Sequence, residues 1–306
     1  MAARSDSPLP EMLADLQRRL DEPAPPLIDM HKRLFFQDSP GFWAEAQNFH
    51  VRFARALVSA GHNSAAFDYV SKALTHVPDH VELRYLRALA LARGRNVRRA
   101  IEQAEALLYE LERQRSCDVA FCGETLSLAG RLYKDLGRTS GSGRRRRHYR
   151  AAHERYAQAY ALTDDPYPGI NAATTALLAG SARQAEQLAT SVIAQADEAR
   201  GQPGAEGDYW LLATLGEAHL IRGQNEEAER FYRQAVTLAG GRFGDIASMR
   251  RNVEMLAEHL DVPRSVMELL RFGNIVVFSG HMIDHPDRVI RHGLPPRFPP
   301  GKALEK

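Results

Sequence analysis

The chain predicts an all-α fold, a solenoid of stacked helical hairpins that ends in one strand and an extended tail. Small residues recur with a 34-residue period, and strand-forming runs are scarce before residue 274. With 306 residues, 44% of them hydrophobic, a continuous core can be built along one elongated array. A single hairpin of this length cannot bury its apolar face alone, so each unit is stable only against its neighbours.

The elements follow in order. Residues 1–40 form an N-terminal arm and helix; Phe35, Phe36, Phe42 and Trp43 read as core packing, with a contact patch as the alternative. The array occupies 41–240. A unit starting at Gln47 puts Ala54, Leu57, Ala66 and Ala73 at its eighth, eleventh, twentieth and twenty-seventh places. The next, from Val81, puts Ala88, Leu91, Ala100 and Leu107 on the same places. A third begins near Gly123 with Leu126, Ala129, Gly130, Tyr133 and Gly137, and its second helix (Ala152, Tyr156, Ala159) arrives late. About ten residues, 138–147, are inserted in its turn, and the Gly/Ser run 139–143 reads as a flexible loop tip. A fourth covers 166–200 with Ala173, Ala176, Gly180 and Ala185, and stops at Gly201-Gln202-Pro203-Gly204. The fifth, 209–242, carries Leu212, Leu215, Gly216, His219, Gly223, Ala228, Tyr232 and Ala235. Residues 241–272 supply two capping helices, the second begun by Asp261 as cap and Pro263 in its first turn. Residues 273–306 hold a strand, Asn274 to Gly280, and a Pro/Arg-rich tail.

This spacing resembles the tetratricopeptide repeat, whose arrays expose a long concave surface and bind proteins or peptides. Asp165-Pro166-Tyr167-Pro168-Gly169-Ile170-Asn171-Ala172-Ala173-Thr174 with Leu177 to Gly180, and Asp208 to Thr214, resemble the TRAF-binding regulatory region of apoptosis signal-regulating kinases and its bacterial relatives. That resemblance implies a platform for protein partners beside a separate effector domain, and no kinase activity, since no kinase motif is present. Val276-Val277-Phe278-Ser279-Gly280-His281-Met282-Ile283-Asp284 with Pro286 and Arg288 resembles the entry to a Rossmann-like domain. One strand makes no sheet, so the tail is expected to be a truncated Rossmann-like domain, or otherwise an extended arm.

Function is expected to be recognition and not catalysis: no nucleophile with a base, no metal cage and no phosphate-binding glycine loop is present. Partner-binding candidates are Arg52, Arg55 and Tyr85 in the first two units and Tyr167, Asn171, Trp210 and Thr214 in the last two. A cationic groove would favour an acidic peptide or a carboxylate terminus. Each candidate has a plainer role: Asn171 as a bond at a helix start, the aromatics as packing. Gly280, His281 and Asp284 are candidates for nucleotide contact, only if the C-terminal domain is completed. The alternative function is the regulatory and linker portion of a nucleotide-sensing signalling protein.

No cofactor or metal is expected; His281, Asp284, His285 and Asp287 sit beside Pro286, which opposes a helical ligand spacing. A net charge of +2 gives no global field for nucleic acid or an anionic membrane. The run Arg144 to Arg147 reads as a solvated insertion, with an anionic-partner site as the alternative. Arginine outnumbers lysine 35 to 5, the composition expected of a GC-rich bacterial genome. With no apolar signal core or long apolar run, a cytoplasmic location is expected, and Cys117 and Cys122 read as reduced core thiols, with a redox pair as the alternative.

Overall fold

A computed structural model describes residues 9–114, 118–202, 208–240 and 242–271. Every element in these residues is helical. The expected strand 274–280, the tail, and the residues Gly280, His281 and Asp284 lie outside the described residues.

Three short helices open the chain: α1 (Leu9–Leu20), α2 (Leu27–Phe35) and α3 (Pro40–Glu45). Phe42 and Trp43 on α3 are buried, whereas Phe36 is one of the most exposed large apolar side chains. Five hairpins follow. Their first helices are α4 (Gln47–Ser59), α6 (Val81–Arg93), α8 (Val119–Thr139), α10 (Pro166–Leu178) and α12 (Tyr209–Ile221). Their second helices are α5 (Asn63–His76), α7 (Val97–Gln114), α9 (Ser142–Thr163), α11 (Ala182–Arg200) and α13 (Asn225–Ala239). Two more helices complete the described array, α14 (Phe243–Leu256) and α15 (Arg264–Leu269). The second is shorter than its sequence suggests: Pro263 holds the N-cap position, with no side-chain cap from Asp261.

Four hairpin turns share one backbone solution. The fifteenth residue of the unit is left-handed at Gly61 (φ 82°), Arg95 (φ 65°), Gly180 (φ 91°) and Gly223 (φ 68°). In each, the following N–H reaches back five residues, His62 to Leu57, Asn96 to Leu91, Ser181 to Ala176 and Gln224 to His219, at 2.9 Å. These are Schellman closures, which satisfy carbonyls that the helix end leaves open. Arg95 makes the turn without glycine's freedom, at a cost of about 1 kcal/mol.

The third unit breaks the rule, and here the expected flexible insertion is corrected. Its fifteenth residue, Gly137, stays inside α8, which continues to Thr139, and α9 begins at Ser142. The added residues lengthen both helices instead of forming a loop, because three glycines on α8 let α9 lie close along it. A Cβ at Gly123 would fall 2.3 Å from Thr163, one at Gly130 2.8 Å from Tyr156, and one at Gly137 2.5 Å from Tyr149. Both series step by seven residues, the repeat of two helices packed side by side.

The same complementarity governs the whole array. At the eighth and twenty-fourth places stand Ala54 with Val70, Ala88 with Ala104, Gly130 with Tyr156, Ala173 with Ala189 and Gly216 with Tyr232. All ten are buried. Where the first helix offers glycine the second supplies a tyrosine; where it offers alanine the second supplies a small or β-branched residue. At Gly216 a Cβ would meet the Tyr232 ring at 2.9 Å.

Among the described residues the apolar core is in two large parts, besides a small cluster of Tyr149, Leu178 and Met255. One runs from Leu27 to Leu132 and takes in Ala159; the other runs from Ile170 to Leu270. Within the first, His50 is fully buried among Phe42, Trp43, Phe49 and Tyr69. Its Nε2 lies 3.2 Å from the Phe42 carbonyl and must donate to it, so Nδ1 accepts from the Tyr69 hydroxyl at 2.7 Å. Burial pushes the His50 pKa down to about 4. Cys122 is disulfide-bonded and not the reduced thiol expected, and Cys117 lies outside the described residues. Among the described residues no helix is long and apolar enough to cross a membrane.

Two outcomes follow from this packing. G216A should destabilise by about 1–3 kcal/mol through overpacking, and Y232A by about 3–5 kcal/mol through a cavity. The double variant recreates the alanine pair of the second and fourth units and should lose clearly less than the sum, read from urea midpoints. Because unfolded His50 takes a proton near pH 6.5 and the folded one only near 4, stability should fall as pH drops through that window. The His50 share is on the order of 3 kcal/mol, and the slope should flatten in H50Q.

Candidate inner-face site

The first helices α10 and α12 are apolar almost throughout, so their few polar residues stand out. On α10, Asn171, Thr174 and Thr175 are buried; on α12, Thr214 and Glu217 are. Thr175 is satisfied locally, its hydroxyl donating to the Asn171 carbonyl at 2.6 Å. Asn171, Thr174 and Glu217 reach between helices.

Glu217 is 5% exposed. Its Oε1 accepts from the Thr174 hydroxyl, and its Oε2 accepts from Asn252 Nδ2 on α14 at 3.0 Å. Lys134 on α8 donates to Asn171 Oδ1 at 2.6 Å and to Asn252 Oδ1 at 3.5 Å. Asn171 in turn donates from Nδ2 to the Tyr167 carbonyl at 2.9 Å. One network thus joins α8, α10, α12 and α14 at the seam between the two apolar cores. Burial pushes the Glu217 carboxyl up, while Lys134, Thr174 and Asn252 hold it back. Burial pushes the Lys134 ammonium down, and Glu217 opposes that shift while Arg131 and Arg251 add to it.

Above the network lies a cleft of about 70 Å³. Arg131, Asp135 and Arg138 reach it from α8 beside Lys134, Tyr156 from α9, Tyr167 from α10, and Arg251, Asn252 and Met255 from α14. Arg138 lies in the turn by which α8 outruns its 13-residue counterparts. Arg131, Arg138 and Arg251 are exposed, and among the described residues none of them makes an ion pair or hydrogen bond. Tyr156 is fully buried; the Tyr167 hydroxyl is the hydrogen-bonding neighbour of its own, and Arg131 and Asp135 also act on it electrostatically. The long α8–α9 hairpin is also tied beyond the cleft, where Arg145 pairs with Glu258 at 3.0 Å.

The residues singled out in the sequence divide. Tyr167 and Asn171 belong to this site, Tyr167 half exposed at its edge and Asn171 in its floor. Thr214 is buried on α12, one turn from Glu217. Trp210 is 47% exposed, against the Tyr209 ring. The first-half candidates are not gathered here: Arg52 pairs with Asp21, Arg55 with Glu82 at 3.5 Å, and the buried Tyr85 donates to Glu124 at 2.8 Å. Lys134, Glu217, Asn252 and the three unpaired arginines escaped the sequence reading. Glu217 carried a usable signal as the single carboxylate in a helix otherwise fit for a core. Among the described residues, no three metal-ligating side chains gather.

Comparison with known proteins agrees with the architecture. Residues 62–178 match a family model described as Tetratricopeptide Repeats-Sensor, a stretch from α5 to α10 that includes Arg131, Lys134, Tyr156, Tyr167 and Asn171. The fold is a tetratricopeptide-type helical solenoid. A thermophilic tetratricopeptide protein of Thermus thermophilus superposes with a TM-score of 0.50 at 19% identity, covering 69% of this chain and 99% of that one. A Cut9–Hcn1 hetero-tetramer of the APC/C gives 0.51 at 16% identity, over 86% of this chain and 48% of that one. A human IFIT1 dimer with PPP-AAAA gives 0.50 at 16% identity, over 73% and 49%. No curated protein matches the sequence.

Removing one charge from the network should expose its energetics. K134M leaves the Glu217 carboxylate buried without its cation and should cost about 3 kcal/mol. K134M/E217L, which removes both charges, should recover most of that loss, measured as the urea midpoint.

Proposed function

We propose that the chain is a non-catalytic interaction scaffold that receives an acidic segment of a protein partner on its inner helix face, at the cleft between α8, α10 and α14. Solenoids of stacked hairpins serve as protein-interaction scaffolds because their repeats line up one continuous surface. The observation that carries the site is the group Arg131, Arg138 and Arg251, three guanidinium groups left without an ion pair around a floor of buried polar side chains. Guanidinium forks match carboxylates two bonds at a time, and next to a low-dielectric floor such bonds are stronger than at an open surface. Tyr167 and Asn171 join the recognition surface, with Thr214 beneath it. Arg52, Arg55 and Trp210, all exposed, form outlying parts of the same partner surface, with the buried Tyr85 as support for the first-half candidates.

The description of the matched model favours a second, compatible reading. On that reading the array is the regulatory and linker portion of a nucleotide-sensing signalling protein.

Fluorescence polarisation with a panel of tagged acidic and neutral peptides tests the site. Acidic peptides should bind best, weaken with salt, and lose about tenfold or more in affinity in R131E and in R251E. R183E, a surface change on α11 outside the cleft, should bind as wild type. Equal binding by all three variants would sink the assignment of the cleft.

A further inference from the structure

We propose that the inner-face cleft is a binding site for a phosphate monoester dianion. This deepens the reading of the inner face as a recognition surface and rests on it.

Charge balance is the first argument. Glu217 answers Lys134 within the network, which leaves Arg131, Arg138 and Arg251 against the single carboxylate of Asp135. The residual charge is about +2, the complement of a phosphate monoester, which carries about −1.5 to −2 at neutral pH. A carboxylate would neutralise only half of it.

Size is the second. At about 70 Å³, the cleft has room for a handful of waters or one compact oxyanion and not for an extended chain. A partner's main chain would therefore run along the rim while one group enters.

Hydrogen-bond supply is the third and is independent of the charge count. The Tyr156 hydroxyl is buried inside the cleft wall beside the Tyr167 hydroxyl, its hydrogen-bonding neighbour, which places two phenol groups at the cleft. Its ring is held against Gly130, so the hydroxyl cannot turn away without moving α9. The Tyr167 hydroxyl and the guanidinium groups add donors from the other sides, a set suited to an anion with three acceptor oxygens.

Isothermal titration of the full chain with inorganic phosphate, glycerol 2-phosphate, a phosphoserine peptide, its unphosphorylated twin and acetate, at matched ionic strength, tests the inference. The phosphate compounds should bind and acetate should bind at least about tenfold more weakly. R131Q and R251Q should each weaken phosphate binding about tenfold. Both side chains are exposed and unpaired, so these variants keep the fold. Y156F removes the hydroxyl beside Tyr167 and should weaken phosphate binding with little loss of thermal stability. A phosphopeptide that binds more tightly than glycerol 2-phosphate supports the site with a modified protein as the source. Equal affinity supports it with a free phosphate compound as the source. Acetate binding as well as phosphate, or phosphate binding unchanged in R131Q and R251Q, overturns the proposal. If acidic peptides still bind and still depend on Arg131 in that case, the scaffold reading survives; if they do not, both fall.

Discussion

Everything in this molecule depends on how closely the two helices of a hairpin approach. Helix surfaces meet at a distance set by the side chains at the contact. Here that contact is a small residue on the first helix facing the twenty-fourth place on the second. A tyrosine over glycine and a small residue over alanine fill comparable space, so the units stay stackable although their sequences differ. In the third unit the device is used three times in succession, at Gly123, Gly130 and Gly137, and the hairpin becomes long and tightly zipped. That length brings Arg138 to the cleft and Arg145 to Glu258.

The seam beside this hairpin is where apolar packing gives way to a polar network. Burying Lys134 and Glu217 costs desolvation energy that their attraction offsets only when their hydrogen-bonding capacity is also met. Asn171, Thr174 and Asn252 meet it. An apolar seam would let neighbouring hairpins slide over one another, whereas directional bonds from α8, α10, α12 and α14 admit one arrangement. The same network leaves the cations above it facing outward, because the oxygens of the buried carboxylate are taken by Thr174 and Asn252 and not by the arginines.

How much of this could be read beforehand varies with the kind of signal. Repeats announce themselves through small residues at fixed spacing, and Ala54, Ala88, Gly216 and Ala228 placed the hairpins without ambiguity. The insertion was found but misread. Glycine and serine around 139–143 are compatible with a loop, and what made helix instead was the match of three glycines with Thr163, Tyr156 and Tyr149, a pairing across the hairpin that local composition does not display. The cleft was half legible. Tyr167 and Asn171 stood out on a helix of apolar residues, but Arg131, Lys134 and Arg138 look like ordinary solvated charges until α14 is placed opposite them. Asn252 and Arg251 meet them across more than a hundred residues, a distance no local pattern spans.

The bond from Lys134 to Asn252 and the pair between Arg145 and Glu258 join residues 118 and 113 apart. In a repeat array each unit normally touches only its neighbours, and curvature accumulates step by step. These two links act as a chord across the coil, fixing the curvature of its second half at a stroke. Closing so long a segment is entropically costly, so the chord forms after the hairpins on either side have already folded. An interaction made that late leaves the speed of folding nearly untouched and slows its reversal. Whatever binds at the chord therefore acts as a clasp, lengthening the life of the coiled state more than it hastens its assembly.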